Sequence, residues 1–204
     1  MFKRWQFSSN DRLQLVQALS MGAFLGLAWG ASLRSWMVVL ALEFGDYPRF
    51  TWDGTFAFVL IPAAIMGAVL SGARVLIKRG DTRCRWAAIA PLLLVVAPVL
   101  FMQDFMPTLL STGMGGGAIG VALIGLFGGY GFSRGDTNWR KIVAKLLAIL
   151  ITGATVYGVF FASQSQLELP TTRQAFGALY FILLMVLLIV AAAIPYQEQT
   201  NADH

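Results

Sequence analysis

Apolar residues in this chain come in long runs, without the strict alternation of a half-buried strand or the narrow stripe of a surface helix. A bilayer-spanning helix takes about 20 largely apolar residues. Six stretches reach or approach that length: 13–42, 54–77, 86–102, 113–132, 141–163 and 174–196. The pattern predicts an all-α fold, a polytopic bundle of about six transmembrane helices joined by short loops. Residues 1–204 would form one integral membrane domain. The third stretch is short and carries Pro91 and Pro98, so a kinked or re-entrant course is its alternative. The first stretch exceeds the 7–15 residues of a signal-peptide core, so it reads as a span that also directs insertion.

Composition sharpens this picture. Hydrophobic residues make up 57% and charged residues 12%, against roughly 45–50% and about 25% in soluble domains. These values exclude an ordinary soluble enzyme and a disordered chain. The single cysteine, Cys84, excludes an intrachain disulfide, and the single histidine is His204. No Cys/His metal site and no cofactor is expected.

The net charge of +5 would suggest nucleic acid if its sources were clustered on one soluble face. Instead the basic residues stand at the ends of apolar runs. Lys3, Arg4 and Arg12 precede the first run. Arg74, Lys78, Arg79, Arg83 and Arg85 follow the second, and Arg134, Arg140, Lys141 and Lys145 follow the fourth. The opposite side would hold Arg49 and Arg173 with Glu43, Asp46, Asp53, Asp104 and Glu168. By the positive-inside rule the N-terminus, the second and fourth connections and the C-terminal tail are cytoplasmic. The expected partner is the lipid bilayer, with a homo-oligomer or a larger membrane complex beyond it, and no nucleic acid.

Depth decides whether a charge is functional, because an ionised group at the bilayer centre is costly. At about 1.5 Å per residue, Arg34 lies roughly 31 Å beyond Leu13 and Arg74 about 30 Å beyond Gly54. Both fall at hydrocarbon boundaries, and Lys145 is one turn from its own. Lys145 and Arg74 are expected to snorkel to headgroups. Arg34 is followed by Trp36, an interfacial residue type, and Asp53 opens the next span at similar depth. An Arg34–Asp53 clamp is the favoured reading, with anion or headgroup binding behind it. Arg34, Asp53, Glu43 and Trp52 are the candidate binding residues. Thr51 or Asp53 can cap the second span, and Tyr47, Phe50 and Trp52 suit an aromatic belt.

Arg34-x-Trp36-Met37 followed by Pro48-x-Phe50-Thr51-Trp52-x-Gly54-Thr55 resembles a group of small bacterial multi-pass membrane proteins of unknown function. The resemblance covers about the first 60 residues. It implies a bacterial cytoplasmic (inner) membrane and brings no activity, cofactor or catalytic residue.

Gly22, Gly26 and Gly30 recur every fourth residue, and Gly116 and Gly120 repeat the spacing. Small residues at this interval let helices approach closely, so these five are candidate packing positions, and the fourth span is expected to pack in the bundle centre against the first. A homo-oligomer face or a flexible element beside a pore is the alternative. No Gly-Lys-Ser/Thr follows to make a nucleotide loop. Arg79-Gly80-Asp81-Thr82 recurs as Arg134-Gly135-Asp136-Thr137, which reads as a shared turn in preference to a duplicated hairpin.

The one histidine, His204, leaves no base for a serine or cysteine triad, and no metalloprotease pattern is present, so no catalytic residue is nominated. Three functions remain, in this order. The first is a non-catalytic accessory or assembly subunit that packs by its glycines. The second is a small channel or transporter lined by Ser20, Ser32, Ser71, Thr152, Thr155 or Tyr157. The third is a lipid-acting enzyme at the outer face using Arg34 with Asp53 or Glu43.

Overall fold

The computed structural model describes residues 9–43, 51–101, 116–134, 137–158 and 171–196. These are all-helical, in six segments at the places where the apolar runs lie. Helix α1 is Ser9–Glu43 and α2 occupies Asp53–Ile77. Segment α3 is a tight stretch Thr82–Leu92 that relaxes into the α-helical Leu93–Phe101. Helix α4 is Gly116–Gly131, α5 is Trp139–Tyr157, and α6 is Thr171–Ala192, with a last tight turn at Ile194–Tyr196. Three of them, α1, α2 and α6, are long and apolar enough to cross a membrane. Arg140, Lys141 and Lys145 give the 19-residue α5 a charged start.

Local chemistry explains the irregular windings. Pro62 has no N–H, and its ring would strike the carbonyl four residues earlier in a regular helix. The chain responds over Asp53–Leu60 by widening to π-type turns, and Ile61 N–H bonds to Phe56 O, five residues back. Such insertions are the usual companions of a strained ladder. In α3 the winding is tight instead, over Thr82–Leu92 with Pro91 near its end, and the α-helical part that follows carries Pro98.

Helix ends follow capping rules. Thr51 Oγ1 accepts from Gly54 N–H at 3.2 Å at the start of α2, so the Thr51 expectation holds. Asn138 Oδ1 accepts from Lys141 N–H at 3.0 Å at the start of α5. The first Arg-Gly-Asp-Thr is a helix stop. Gly80 takes φ +85°, with Gly80 N–H bonded to Ile77 O and Asp81 N–H to Leu76 O. The glycine of the second copy lies outside the described residues.

Packing fixes the directions. Gly22 faces Gly67, and Gly26 faces Ala63, so α1 and α2 run antiparallel. Trp29 meets Leu184 and Trp36 meets Gly177, so α1 and α6 are antiparallel as well. Gly125 meets Leu188 and Gly129 meets Ala192, which makes α4 and α6 parallel. The buried core between them includes Leu70, Ile124, Phe181, Met185 and Leu188.

Candidate functional site

The bundle has two unlike ends. At one end the start of α1, the end of α2, the starts of α3 and α5 and the ends of α4 and α6 come together. Arg79 Nη2 bonds Asp11 Oδ1 at 2.9 Å, tying α2 to α1. Tyr130 packs edge-on against Tyr196, joining α4 to α6. Lys145 stands over the Phe132 ring at 5.6 Å, joining α5 to α4. This end carries Arg12, Arg74, Lys78, Arg79, Arg85, Arg134, Arg140, Lys141 and Lys145. Cys84 also sits here, ahead of the apolar part of α3, and burial, then the Asp81 carboxylate, push its thiol pKa up.

The opposite end holds the residues nominated for binding. Arg34 is half-buried, and its Nε donates to Thr55 Oγ1 at 3.3 Å. Thr55 is buried, while Asp53, half a turn earlier, is exposed. One tie from α1 to the start of α2 therefore runs through the Thr55 hydroxyl, and no Arg34–Asp53 ion pair occurs among the described residues. Trp52 is 72% exposed and stacks on Phe56 with ring centroids 5.1 Å apart, a pairing suited to a membrane surface. Glu43 is the last residue of α1, and its side chain lies outside the described residues, as do Tyr47, Phe50 and Asp104. The structure thus brings Arg34 and Thr55 together and leaves Asp53 and Trp52 on the outside.

Trp36 departs from its expected place. It is 5% exposed, lies against Phe181 at 4.6 Å between centroids, and donates from Nε1 to Gly177 O at 3.0 Å. Trp29 Nε1 donates to Leu184 O at 3.0 Å, and Tyr180 Oη donates to Ser32 O at 3.0 Å. Three aromatic donors therefore cross between α1 and α6, each to a backbone carbonyl of the other helix. An indole buried away from water needs such an acceptor. The sequence signal was the seven-residue spacing of Trp29 and Trp36, two helical turns on one face of α1.

The glycines divide. A β-carbon at Gly22, Gly26 or Gly30 would come within 3.0 Å of α2, against Gly67 O, Ala63 O and Ala63 Cβ respectively. The partner of this series is α2, not α4. On α4 the close positions are Gly125 against Pro91, Gly128 against Ile189, Gly129 against Ala192 and Gly131 against Lys145. A β-carbon at Gly117 or Gly120 would meet nothing within 4 Å, and the surroundings of Gly116 lie outside the described residues.

Three of the six suggested pore-lining hydroxyls turn back on their own helices. Ser32 Oγ donates to Ala28 O, Thr152 Oγ1 to Ala148 O and Thr155 Oγ1 to Ile151 O. Ser71 packs against Gly22 in the α1–α2 contact. Two crevices of about 320 Å³ flank α6, and both are lined almost wholly by apolar side chains. No group of three or more His, Cys, Asp or Glu that could hold a metal occurs among the described residues. No family model, no curated protein and no solved structure matches this chain.

Proposed function

We propose that the chain is a six-pass protein of the bacterial cytoplasmic membrane, with both termini cytoplasmic, acting as a non-catalytic accessory or assembly subunit. The observation that carries this reading is how the described interior uses its polar groups. Trp29, Trp36, Tyr180, Ser32, Thr152 and Thr155 all donate to backbone carbonyls of the bundle itself. The three aromatic donors cross between helices and hold them together in lipid, the three hydroxyls bond within their own helices, and both uses take these donors away from a solute path. The apolar crevices support the same view. The gathering of basic residues at one end supports the orientation.

Native mass spectrometry of the full chain in nanodiscs tests the role. A stable homo-oligomer or a co-purifying larger complex is the expected result. A lone monomer that carries ions or solutes across liposomes would overturn it. Orientation has its own reporter in Cys84, the chain's one cysteine. A membrane-impermeant maleimide should label it in inverted vesicles and leave it unlabelled in intact cells. Because the thiol pKa is raised, less thiolate exists at neutral pH than for a free cysteine. Labelling should therefore be slow near pH 7 and accelerate as pH rises.

A further inference from the structure

The crevice between α5 and α6 is lined by Phe132, Ala148, Ile149, Thr152, Met185 and Ile189, among others. It spans roughly 10 Å along α6, from Ile182 to Ile189 at about 1.5 Å per residue. Its one hydroxyl, that of Thr152, already donates to Ala148 O at 2.8 Å, so the floor offers no free hydroxyl hydrogen to a polar solute. Ile149 is 58% exposed and Val186 48% exposed, so its rim opens sideways, toward where lipid would lie.

A cation stands at its basic end. Lys145 lies on the same face of α5 as Ala148 and Ile149, one turn nearer the helix start. Its Nζ sits 5.6 Å from the ring of Phe132, itself a lining residue. Lys141, a turn further out, donates to Arg134 O at 3.1 Å and so is engaged with the α4–α5 turn. Lys145 packs along Gly131 of α4, its ammonium stands beside the Phe132 ring at the end of the crevice, and no ion pair from it occurs among the described residues. An ammonium one turn inside an apolar helix favours an anionic counter-group from its surroundings.

We propose that this crevice is a binding site for an anionic phospholipid. One acyl chain lies along α5 and α6 between Ile149 and Val186, and the headgroup phosphate pairs with Lys145. The occupant is fixed by two complementary features in register: an apolar trough open to the hydrocarbon, and a positive charge at its headgroup end. The second crevice, between α1, α2 and α6, is lined by Trp29, Gly67, Ser71 and Leu187 among others. It has Arg74 one turn from Ser71, but among the described residues no cation stands over a ring that lines it, so it serves as the internal control. The proposal rests on the membrane reading above and is independent of the accessory role.

The test uses the full chain in nanodiscs of phosphatidylglycerol mixed with phosphatidylcholine, read by native mass spectrometry after mild delipidation. Wild type should retain phosphatidylglycerol in preference to phosphatidylcholine. Lys145→Gln should lower that retention about fivefold, the equivalent of about 1 kcal/mol for one cation at the surface, and Lys145→Arg should restore it. Gly153→Leu, where a side chain meets nothing within 4 Å, should fill the crevice and lower retention of both lipids. Arg74→Gln should leave it unchanged. Equal retention of the two lipids by wild type, or full retention by both Lys145→Gln and Gly153→Leu, overturns the site. A second copy of the chain in place of the lipid, with the same two variants dissociating it, does so as well. Should Lys145→Gln fail to fold, the lipid preference of wild type and the Gly153→Leu arm still decide.

Discussion

Gly22, Gly26 and Gly30 of α1, and Gly120 of α4 four residues after Gly116, belong to runs of one spacing and meet opposite surroundings. Gly22, Gly26 and Gly30 lie so close to α2 that a β-carbon would enter its backbone. Gly117 and Gly120 lie beside open space. The difference is in the partner, since α2 presents Ala63, Gly67 and Ser71 at the same four-residue interval. Two small-residue stripes meet, and each helix sinks into the other, with Gly67 in turn lodged against Gly22 O. No described helix offers such a stripe to the start of α4. Small residues at helical spacing permit close approach, and only a matching stripe on the neighbour makes it happen.

The largest effect should come from breaking the matched pair. Gly26→Leu places a branched side chain against Ala63 O, in backbone that cannot move aside. A loss of about 3 kcal/mol or more is expected, at the upper end for overpacking. It should be seen as a lower melting temperature and a reduced folded yield in detergent. A melting temperature close to wild type would show that α1 and α2 can separate freely, and the contrast with α4 would lose its meaning.

Next comes the other attachment of α1. Trp36→Phe removes the donor to Gly177 O and leaves a smaller ring beside Phe181. About 1–2 kcal/mol should be lost, from a hydrogen bond of modest strength in lipid together with a packing defect. A loss exceeding that of Gly26→Leu would place the anchor of α1 in α6 and demote the glycines.

Much of this architecture could be read from the chain, and the misreadings have physical causes. The six helical segments fall on the apolar runs because length and hydropathy are local properties. The stop at Gly80 was legible for the same reason, since a glycine after an apolar run and before a polar turn is a local signal. The winding at Asp53–Leu60 was half legible. Pro62 is visible in the second run, but a proline alone does not say that the turns before it widen. Trp36 was misplaced because its acceptor, Gly177 O, lies 141 residues away. Interfacial preference is an average that a buried carbonyl can override. Arg34 meets the Thr55 hydroxyl and makes no described ion pair with Asp53, because Thr55 and Asp53, two residues apart, lie on opposite faces of α2. The partner of Gly22 stayed hidden for a related reason. The stripe Ala63, Gly67, Ser71 is visible in the sequence, but which two helices are neighbours is not.

A smaller effect should come from the ionic tie at the basic end. Asp11→Asn removes the partner of Arg79 at a site where Asp11 is 39% exposed. An exposed pair contributes about 0.2–1 kcal/mol, and salt should erase most of that. Melting in low and high salt checks it: the difference from wild type should shrink as salt rises. A loss near that of Gly26→Leu would mean that charge, and not shape, joins α1 to the end of α2.

The smallest effect on the single chain should come from the open glycines. Gly120→Leu finds nothing within 4 Å of its β-carbon, so stability should change by no more than about 0.5 kcal/mol. The same substitution is also the sharpest probe of assembly. If a second helix from another chain supplies the matching stripe that α4 lacks, leucine would hold the two backbones apart. Association would then fall while the melting temperature of the separated chain stayed put. Native mass spectrometry of Gly120→Leu beside Gly120→Ala reads both quantities at once. A graded loss of oligomer from alanine to leucine would show that α4 obeys the same rule as α1, with its stripe met between chains.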